Sequence, residues 1–305
     1  MSLYQIKNQK LQAIKELRFE KEKIIHDLIE NNLEELFGLQ IIKGEFQIEG
    51  YFLDSLCFDP NTNSFVIIEY KRDKQNSIVD QGLHYMQLLL VHKANFVLAY
   101  NNRFNKNTEI KDFDWSQIRI IFIARSFTPY QIGAANFENF PIELWELSHY
   151  QNDLISLNQI KTQKKADSIT KLINDPIAKK MSTEIKTFTL EDHLKKGNEK
   201  TRDLFTKLQR EIFELDDRIQ EKPVSWYIGY KIRYQNFCSV EIFKEKIKIF
   251  VRCPQIEDPL KLFKKVPSNY GWGRTHLWFG YIKNEKEMDY AMTIVRQSYD
   301  IAPDK

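Results

Sequence analysis

Apolar side chains in the first 100 residues follow two periods, which predict helices alternating with strands. From Lys10 to Phe37 they recur at steps of three and four, so we expect a helix that ends at Gly38. Three runs then have the pattern of strands: GEFQIE, GYFLDSLCFD and SFVIIEYKR, with the turn DPNTNS between the last two. Helical spacing returns in SIVDQGLHYMQLLLVHK.

The next segments continue this alternation to about residue 150. The runs NFVLAY, IRIIFIARS and IELWEL have strand character, and a short helix is expected after Pro129. Strands that alternate with helices in this order predict an α/β domain over residues 1–150, with a mixed central sheet flanked by helices.

The pattern changes after residue 150. Residues 151–189 are polar, Lys-rich and weakly periodic, which predicts a linker, with one short helix in it left open. From residue 190 to 305 an amphipathic helix (RDLFTKLQREIFELDDRI) precedes three strand-like runs, VSWYIGYKIRY, FCSVEIFKE and KIKIFVRC. HLWFGYI adds a fourth strand and EKEMDYAMTIVRQSYD closes the chain as a helix. This order predicts a small α+β domain with a largely antiparallel sheet.

Composition narrows the class of protein. With 305 residues, 42% apolar and 29% charged, the chain has the size of two globular domains. No apolar run approaches the roughly 18 residues of a membrane span, and the N-terminus lacks a signal-peptide core, so we expect a cytoplasmic protein. Cys57, Cys238 and Cys253 show no metal-binding spacing. Buried free thiols are favoured for them, with a Cys238–Cys253 pair left open.

Charge is distributed unevenly along the chain. Residues 1–150 carry 16 Lys and Arg against 20 Asp and Glu, whereas residues 151–305 carry 29 against 22. The C-terminal part, with an excess of +7, is therefore the better candidate for contact with a polyanion, although an ordinary solvated surface has a similar balance.

Candidate chemistry lies in FVIIEYKRD, residues 65–73. Because strand side chains alternate, Glu69 and Lys71 should point to the same face. Asp54 lies in the preceding strand, and the turn between them brings it back toward Glu69. Gln81 and Tyr85, one helical turn apart, are expected to face the same cleft. Two carboxylates with a lysine suit a Mg²⁺ or Mn²⁺ site that hydrolyses phosphodiesters.

The order Asp54, then Glu69-x-Lys71, then Gln81-x-x-x-Tyr85 resembles the PD-(D/E)xK nuclease superfamily, over roughly residues 18–147. The branch that it resembles includes RecB-type nucleases and mismatch endonucleases related to NucS. The resemblance implies that Asp54 and Glu69 bind the metal and that Lys71 is the lysine of the motif. In that superfamily the first motif often reads Gly-Arg-Ile-Asp; here it is GYFLD, without the basic residue and one residue longer.

The same resemblance implies a glutamate from the first helix, which reaches the metal through water. Among the five glutamates of this segment we prefer Glu22. His26 lies four residues later and is left open between a surface position and the cleft.

The C-terminal domain resembles a family of uncharacterised function, DUF5655-like, in RDLFTKLQREIFELD, IGYKIRY and THLWFGYIKNEKEMDYAMTIVRQSY. That resemblance implies no mechanism. Its aromatic and basic residues are candidate contacts for nucleic acid, with ordinary sheet packing as the favoured alternative for the aromatic ones. The candidates are Lys231, Arg233, Trp272 and Arg274.

These patterns together predict a metal-dependent DNA endonuclease, acting in DNA repair or in defence against foreign DNA. The alternative is a non-catalytic module on the same scaffold, which binds nucleic acid or a protein. DNA is the expected partner, RNA and a homodimer are left open, and no membrane partner is expected.

Overall fold

A computed structural model describes residues 3–19, 22–71, 78–138, 140–160, 166–168, 183–267 and 277–302. The chain divides into two compact units. The first contains Met1–Leu33, Gln40–Phe58 and Phe65–Ile185, and the second contains Glu34–Leu39, Asp59–Ser64 and Lys186–Lys305.

The N-terminal part of the chain, to residue 185, alternates strands and helices. The described strands are β1 (Leu3–Lys7), β2 (Lys10–Ile14), β3 (Glu16–Leu17), β4 (Gln40–Ile48), β5 (Tyr51–Asp59), β6 (Ser64–Lys71), β7 (Arg119–Ala124), β8 (Phe137–Glu138), β9 (Ile142–Tyr150), β10 (Leu154–Gln159) and β11 (Ala166–Ser168). The described helices are α1 (Glu22–Glu30), α2 (Leu33–Phe37), α3 (Ile78–Val91), α4 (Lys93–Phe104) and α5 (Pro129–Ala134), with 3₁₀ turns at Ile110–Asp112 and Trp115–Gln117.

The central sheet of the first unit has the strand order β10-β9-β7-β6-β5-β4, with β3 also paired to β9. Strand β6 runs parallel to β7, and β7 runs parallel to β9. The outer pairs β4–β5 and β9–β10 are antiparallel. The predicted mixed α/β sheet flanked by helices is therefore confirmed.

Alternation along β6 divides its side chains between two layers. Phe65 and Ile67 belong to the core cluster that α3 and α4 share with the sheet. Val66, Ile68 and Tyr70 are buried on the other side. A strand buried on both faces explains why this run is nearly continuously apolar up to Glu69.

Residues 10–14 and 16–17 form strands, so the helix expected from Lys10 is wrong over its first third. β2 pairs with β1, and β3 pairs with β9. In the β1–β2 hairpin, Ile6 lies opposite Leu11 and Tyr4 lies opposite Ala13, so one face of the hairpin is apolar. The residues from 10 to 14 fit a period of two as well as a helical one, and the pairing partner decides between them.

The run NFVLAY lies in helix α4, which corrects the strand expected there. Phe96, Val97 and Tyr100 are buried at helical spacing, while Leu98 is 59% exposed. A six-residue apolar run does not distinguish a buried strand from a buried helix by periodicity.

The predicted linker also differs from the structure in its first part. Residues 154–159 form β10, an edge strand that pairs with β9 from Leu154 opposite Tyr150 to Gln159 opposite Trp145. Its side chains are exposed or half-buried, which explains its polar composition.

The second unit contains a described sheet of β12 (Gln220–Pro223), β13 (Ile228–Ile232), β14 (Gln235–Ile242), β15 (Ile247–Arg252), β16 (Phe263–Lys265) and β17 (Leu277–Ile282). The strand order is β12-β13-β14-β15-β17-β16, and every described pair is antiparallel. Its described helices are α6 (Leu190–Leu194), α7 (Glu199–Phe213) and α8 (Glu285–Asp300). α7 and α8 share one core cluster with the sheet, as the predicted α+β class requires.

Cys57, Cys238 and Cys253 are all free and buried, so the Cys238–Cys253 pair is not formed. Among the described helices, none has a long enough apolar run to cross a membrane.

Candidate active site

The end of strand β6 places Glu69 and Lys71 on one face of the central sheet. In the parallel pairing with β7, Glu69 lies opposite Phe122 and Lys71 lies opposite Ala124. The Lys71 Nζ donates a hydrogen bond of 2.9 Å to Glu69 Oε1. The two residues that the period of two places together are therefore in direct contact.

Helix α3 supplies two more donors to the same carboxylate. Gln81 Nε2 lies 2.6 Å from Glu69 Oε1 and 2.7 Å from the Tyr85 hydroxyl. That hydroxyl in turn donates to Glu69 Oε2 over 2.8 Å. Because residues one helical turn apart share a helix face, Gln81 and Tyr85 reach one acceptor together. We call Glu69, Lys71, Gln81 and Tyr85 the Glu69 cluster.

The hydrogen bonds to Glu69 offset the cost of removing its carboxylate from water. Glu69 is only 6% exposed. A buried charge is costly unless it is paired and hydrogen-bonded, and here a cation and two neutral donors compensate it. The pKa of Tyr85 is raised, first by burial and then by the nearby negative charge of Glu69, with a smaller contribution from Asp54. Tyr85 therefore stays a neutral hydrogen-bond donor at physiological pH.

Gly82 allows helix α3 to pack closely against the ring of Phe140. A Cβ at Gly82 would lie 2.8 Å from Cζ of Phe140, whose side chain is buried. Such a distance is well inside van der Waals contact, so a residue with a side chain would push the helix and the ring apart. The absence of a side chain at residue 82 thus helps to set the positions of its neighbour Gln81 and of Tyr85.

Asp54 reaches the same strand end from β5. Its Oδ2 accepts a 2.9 Å hydrogen bond from the backbone N–H of Tyr70. The Asp54 carboxylate therefore lies next to the peptide group that joins Glu69 to Tyr70. Its negative charge also contributes to the raised pKa of Tyr85, after burial and the charge of Glu69.

Helix α1 approaches Asp54 and its neighbour Ser55 through His26 and Glu30. His26 Nε2 lies 3.3 Å from the Asp54 carbonyl oxygen and 3.1 Å from Glu30 Oε1. Ser55 Oγ donates to the same Glu30 oxygen over 2.6 Å. α1 begins at Glu22, but the side chain of Glu22 lies outside the described residues. In the sequence, Glu30 could be recognised as a neighbour of His26 because it lies four residues later, on the same helix face.

The donor chemistry of this site fits a hard divalent cation. Mg²⁺ in proteins is often bound by one or two carboxylates, and water and substrate phosphate complete its shell. Asp54 and Glu69 supply that number of carboxylates. In the described part of the chain, no group of three or more His, Cys, Asp or Glu side chains is arranged to hold a metal ion. Two carboxylates alone would leave the rest of the coordination shell of such an ion to water and substrate.

The candidate nucleic-acid contacts of the second unit are described only in part. Lys231 is on β13, and it points to the sheet face opposite to that of its neighbours Tyr230 and Ile232, which pack with the helices. Arg233 is exposed in the turn before β14, with a positive φ of 51°. Trp272 and Arg274 lie outside the described residues.

The C-terminal part of the second unit matches a known family of domains. Residues 190–302 match the family described as a domain of unknown function, DUF5655. This confirms the predicted resemblance of that region.

Three solved structures share low similarity with this chain. They are an EndoMS–dsDNA complex (20% identity, TM-score 0.22), a repair endonuclease from Pyrococcus abyssi (18%, 0.26) and Pyrococcus furiosus SfsA in complex with Ca²⁺ (18%, 0.26). The matches cover 38%, 48% and 46% of this chain and 40%, 65% and 62% of the respective structures. Each match spans less than two thirds of the known structure, and none has a TM-score that supports an argument about function.

A relative with nearly the same length is a protein of Haemophilus influenzae that carries the name "Uncharacterized protein". The two chains are 35% identical over 301 residues, which is 98% of this chain and 99% of its relative. Identity at that level over both units establishes common descent of the whole chain. The protein therefore belongs to the same family as this Haemophilus influenzae protein, with a DUF5655 domain as its C-terminal part.

Proposed function

We propose that the first unit is a Mg²⁺- or Mn²⁺-dependent endonuclease that hydrolyses phosphodiester bonds in DNA, in repair or in defence. One observation carries the proposal: a lysine, a glutamine and a tyrosine converge on the buried Glu69 carboxylate, beside a second carboxylate from Asp54. A buried strand end with this many polar groups is costly for stability alone, which favours a chemical role.

In this proposal Asp54 and Glu69 hold the metal ion. The bound ion would lower the pKa of a water molecule and offset negative charge on the phosphate. Lys71 would leave Glu69 Oε1 to orient the attacking water or to donate to a phosphate oxygen. Gln81 and Tyr85 would keep the Glu69 carboxylate in one orientation, because their donors come from a single helix face.

A second candidate is a non-catalytic binding module on the same scaffold. The hydrogen bonding of Glu69 favours this second candidate, because the carboxylate already accepts hydrogen bonds from three side chains of its own chain. A carboxylate satisfied in this way does not require a metal for its stability.

Cleavage assays distinguish the two candidates. We expect the purified protein to cut at least one member of a panel of duplex, single-stranded, flap and mismatched DNA, with RNA forms included, when Mg²⁺ or Mn²⁺ is present. Lys71→Ala should lower the rate by about a hundredfold or more, because it removes a charged group at the reacting phosphate.

A matched control is Lys111→Ala. Glu109 and Lys111 form a second Glu-x-Lys pair, with Lys111 Nζ 2.7 Å from Glu109 Oε2, but both side chains are largely exposed. This change should leave cleavage unaltered. Cleavage that survives Lys71→Ala would assign the activity to another site or to a contaminant.

Metal binding gives a readout that does not depend on activity. Calorimetry with Mn²⁺ should show binding to the wild type and loss of binding in Asp54→Asn and Glu69→Gln, both of which keep side-chain size. Absence of binding to the wild type, with no cleavage on any substrate, would favour the non-catalytic module.

A further inference from the structure

The sheet of the second unit has one face that its long helices do not cover. α7 and α8 pack against the face that carries Val240, Ile249 and Ile282. Residues that alternate with these point the other way. On this second face the register places Lys248 between Glu241 and Tyr281 in one row. The next row contains Phe250, Phe279 and Lys264.

Lysine ammonium groups on this face lie close to aromatic rings. Lys248 Nζ is 4.4 Å from the ring centroid of Phe250 and 4.7 Å from that of Phe279. Lys246 Nζ is 4.1 Å from the centroid of Tyr281 and 5.6 Å from that of Phe243. We call Phe243, Lys246, Lys248, Phe279 and Tyr281 the aromatic-lysine face. These distances fall within the range of cation–π attraction, so each lysine is held next to a ring.

The outer members of this face are accessible to a ligand. Phe243 and Tyr281 are each 39% exposed, although aromatic side chains are usually more deeply buried in a sheet. Lys248 is buried at 8% exposure and pairs with Glu241 at 3.9 Å. Lys248 therefore packs beneath the surface against the rings of Phe250 and Phe279. The part of the aromatic-lysine face that a ligand can reach consists of Lys246, Phe243 and Tyr281.

The charge around this face favours an anionic partner. The strands and turns in residues 235–267 and 277–283 contain eight Lys and Arg against four Asp and Glu. Glu241, one of those four acids, is already paired with Lys248. The remaining excess of positive charge complements a ligand with repeated negative groups.

We propose that the aromatic-lysine face binds single-stranded nucleic acid, with Tyr281 and Phe243 stacking on bases and Lys246 contacting phosphates. Exposed rings supported by a sheet, with lysines between them, match the two needs of such a ligand: a flat apolar surface for each base and a cation for the backbone. A duplex keeps its bases stacked inside, and a run of acidic residues such as oligoglutamate has charge but no rings to stack. The inference does not depend on the proposed cleavage, because binding requires neither the Glu69 cluster nor a metal.

Fluorescence anisotropy of the full-length protein tests this proposal. The probes are fluorescein-labelled oligo(dT) and oligo(rU) of about 15 nucleotides, a DNA duplex of equal length and an oligoglutamate peptide, all in EDTA and at increasing salt concentration. The two single strands show whether the face binds DNA, RNA or both. The variants are Tyr281→Leu, Phe243→Leu and Lys246→Gln. Matched controls are Tyr130→Leu, at an exposed ring of the first unit, and Lys286→Gln, at an exposed lysine on α8.

We expect single strands to bind more tightly than the duplex. Either ring variant should weaken that binding about tenfold. Lys246→Gln should reduce the slope of log affinity against log salt by about 0.7, the value for one phosphate contact on a single strand. Both controls should bind like the wild type.

Several results would overturn the proposal. They are absence of binding to either single strand at the lowest salt, equal affinity for duplex and single strand, and unchanged binding in both ring variants when circular dichroism shows that they are folded. Binding of the oligoglutamate peptide with the same dependence on Tyr281 would assign the face to an acidic protein partner instead.

Discussion

Two Glu-x-Lys pairs in the first unit have the same spacing but different surroundings. Lys71 contacts Glu69 at 2.9 Å, and Lys111 contacts Glu109 at 2.7 Å. The side chains of Glu69 and Lys71 are 7% and 12% exposed, whereas those of Glu109 and Lys111 are 69% and 75% exposed.

The difference shows which part of the pattern carries information. In water an ion pair contributes little, and a Glu-x-Lys sequence at a loop needs no further explanation. At the end of β6 the same pair is removed from solvent, and α3 adds Gln81 and Tyr85 as donors. Burial together with converging donors, and not the tripeptide, makes Glu69 a candidate for chemistry.

The largest effect that we expect from this comparison is on stability. Glu69→Ala leaves three donors without their acceptor, and it should lower the free energy of unfolding by about 3 kcal/mol. Urea unfolding, followed by circular dichroism, measures this change. Glu109→Ala is the matched control and should have a much smaller effect, because its partner Lys111 remains hydrated and only the cap of a short 3₁₀ turn is lost. Equal losses of stability in the two variants would show that the buried pair contributes no more than the exposed pair.

A medium effect is expected where α3 meets Phe140. Gly82→Ala places a methyl group against that ring, and the resulting overpacking should outweigh the better helix propensity of alanine, with a net loss of about 1.5 kcal/mol. The same unfolding experiment measures it, and Gly133→Ala, where a Cβ meets no neighbour within 4 Å, is the control in helix α5. A stabilised Gly82→Ala variant would show that α3 is not held at its closest approach.

The smallest expected effect concerns the tyrosine hydroxyl. Tyr85→Phe removes the hydrogen bond to Glu69 Oε2 and should cost about 1 kcal/mol near pH 8.

The pH dependence of this cost has a definite sign. Folding raises the pKa of Tyr85, so the folded state retains a proton that the unfolded chain loses at alkaline pH. The stabilisation is complete below the ordinary tyrosine pKa and is lost as the pH rises above it. The stability of the wild type should therefore fall more steeply than that of Tyr85→Phe between about pH 9 and about pH 10.5. Parallel curves would contradict the burial of this hydroxyl.

The sequence predicted the meeting of Glu69 with its neighbours because each step depends on local geometry. A period of two places Glu69 and Lys71 on one face, and one helical turn separates Gln81 from Tyr85. The turn between β5 and β6 brings Asp54 back to the backbone of Tyr70. Each inference uses the regular geometry of one element or of two consecutive elements.

Sequence alone did not decide which of the five candidate glutamates lies near Asp54 and Ser55, and it predicted a strand for NFVLAY, which is helical. The choice among the glutamates of α1 depends on how that helix is rotated against β5, and this rotation is set by packing with residues distant in the chain. His26 and Glu30 approach Asp54 and Ser55, which are more than 20 residues away. For NFVLAY, the burial of Phe96 and Tyr100 in a shared core decides the outcome.

The Glu69 cluster and Asp54 come from one continuous stretch of chain, residues 54–85, and this has a consequence for folding kinetics. Contacts between residues close in sequence cost little loop-closure entropy. Strand β6 meets its parallel partner β7 only from residue 119 onward. We therefore expect the β5–β6 hairpin and α3 to assemble during folding before the parallel half of the sheet is complete, so that the polar cluster serves as an early anchor for the strands that join later.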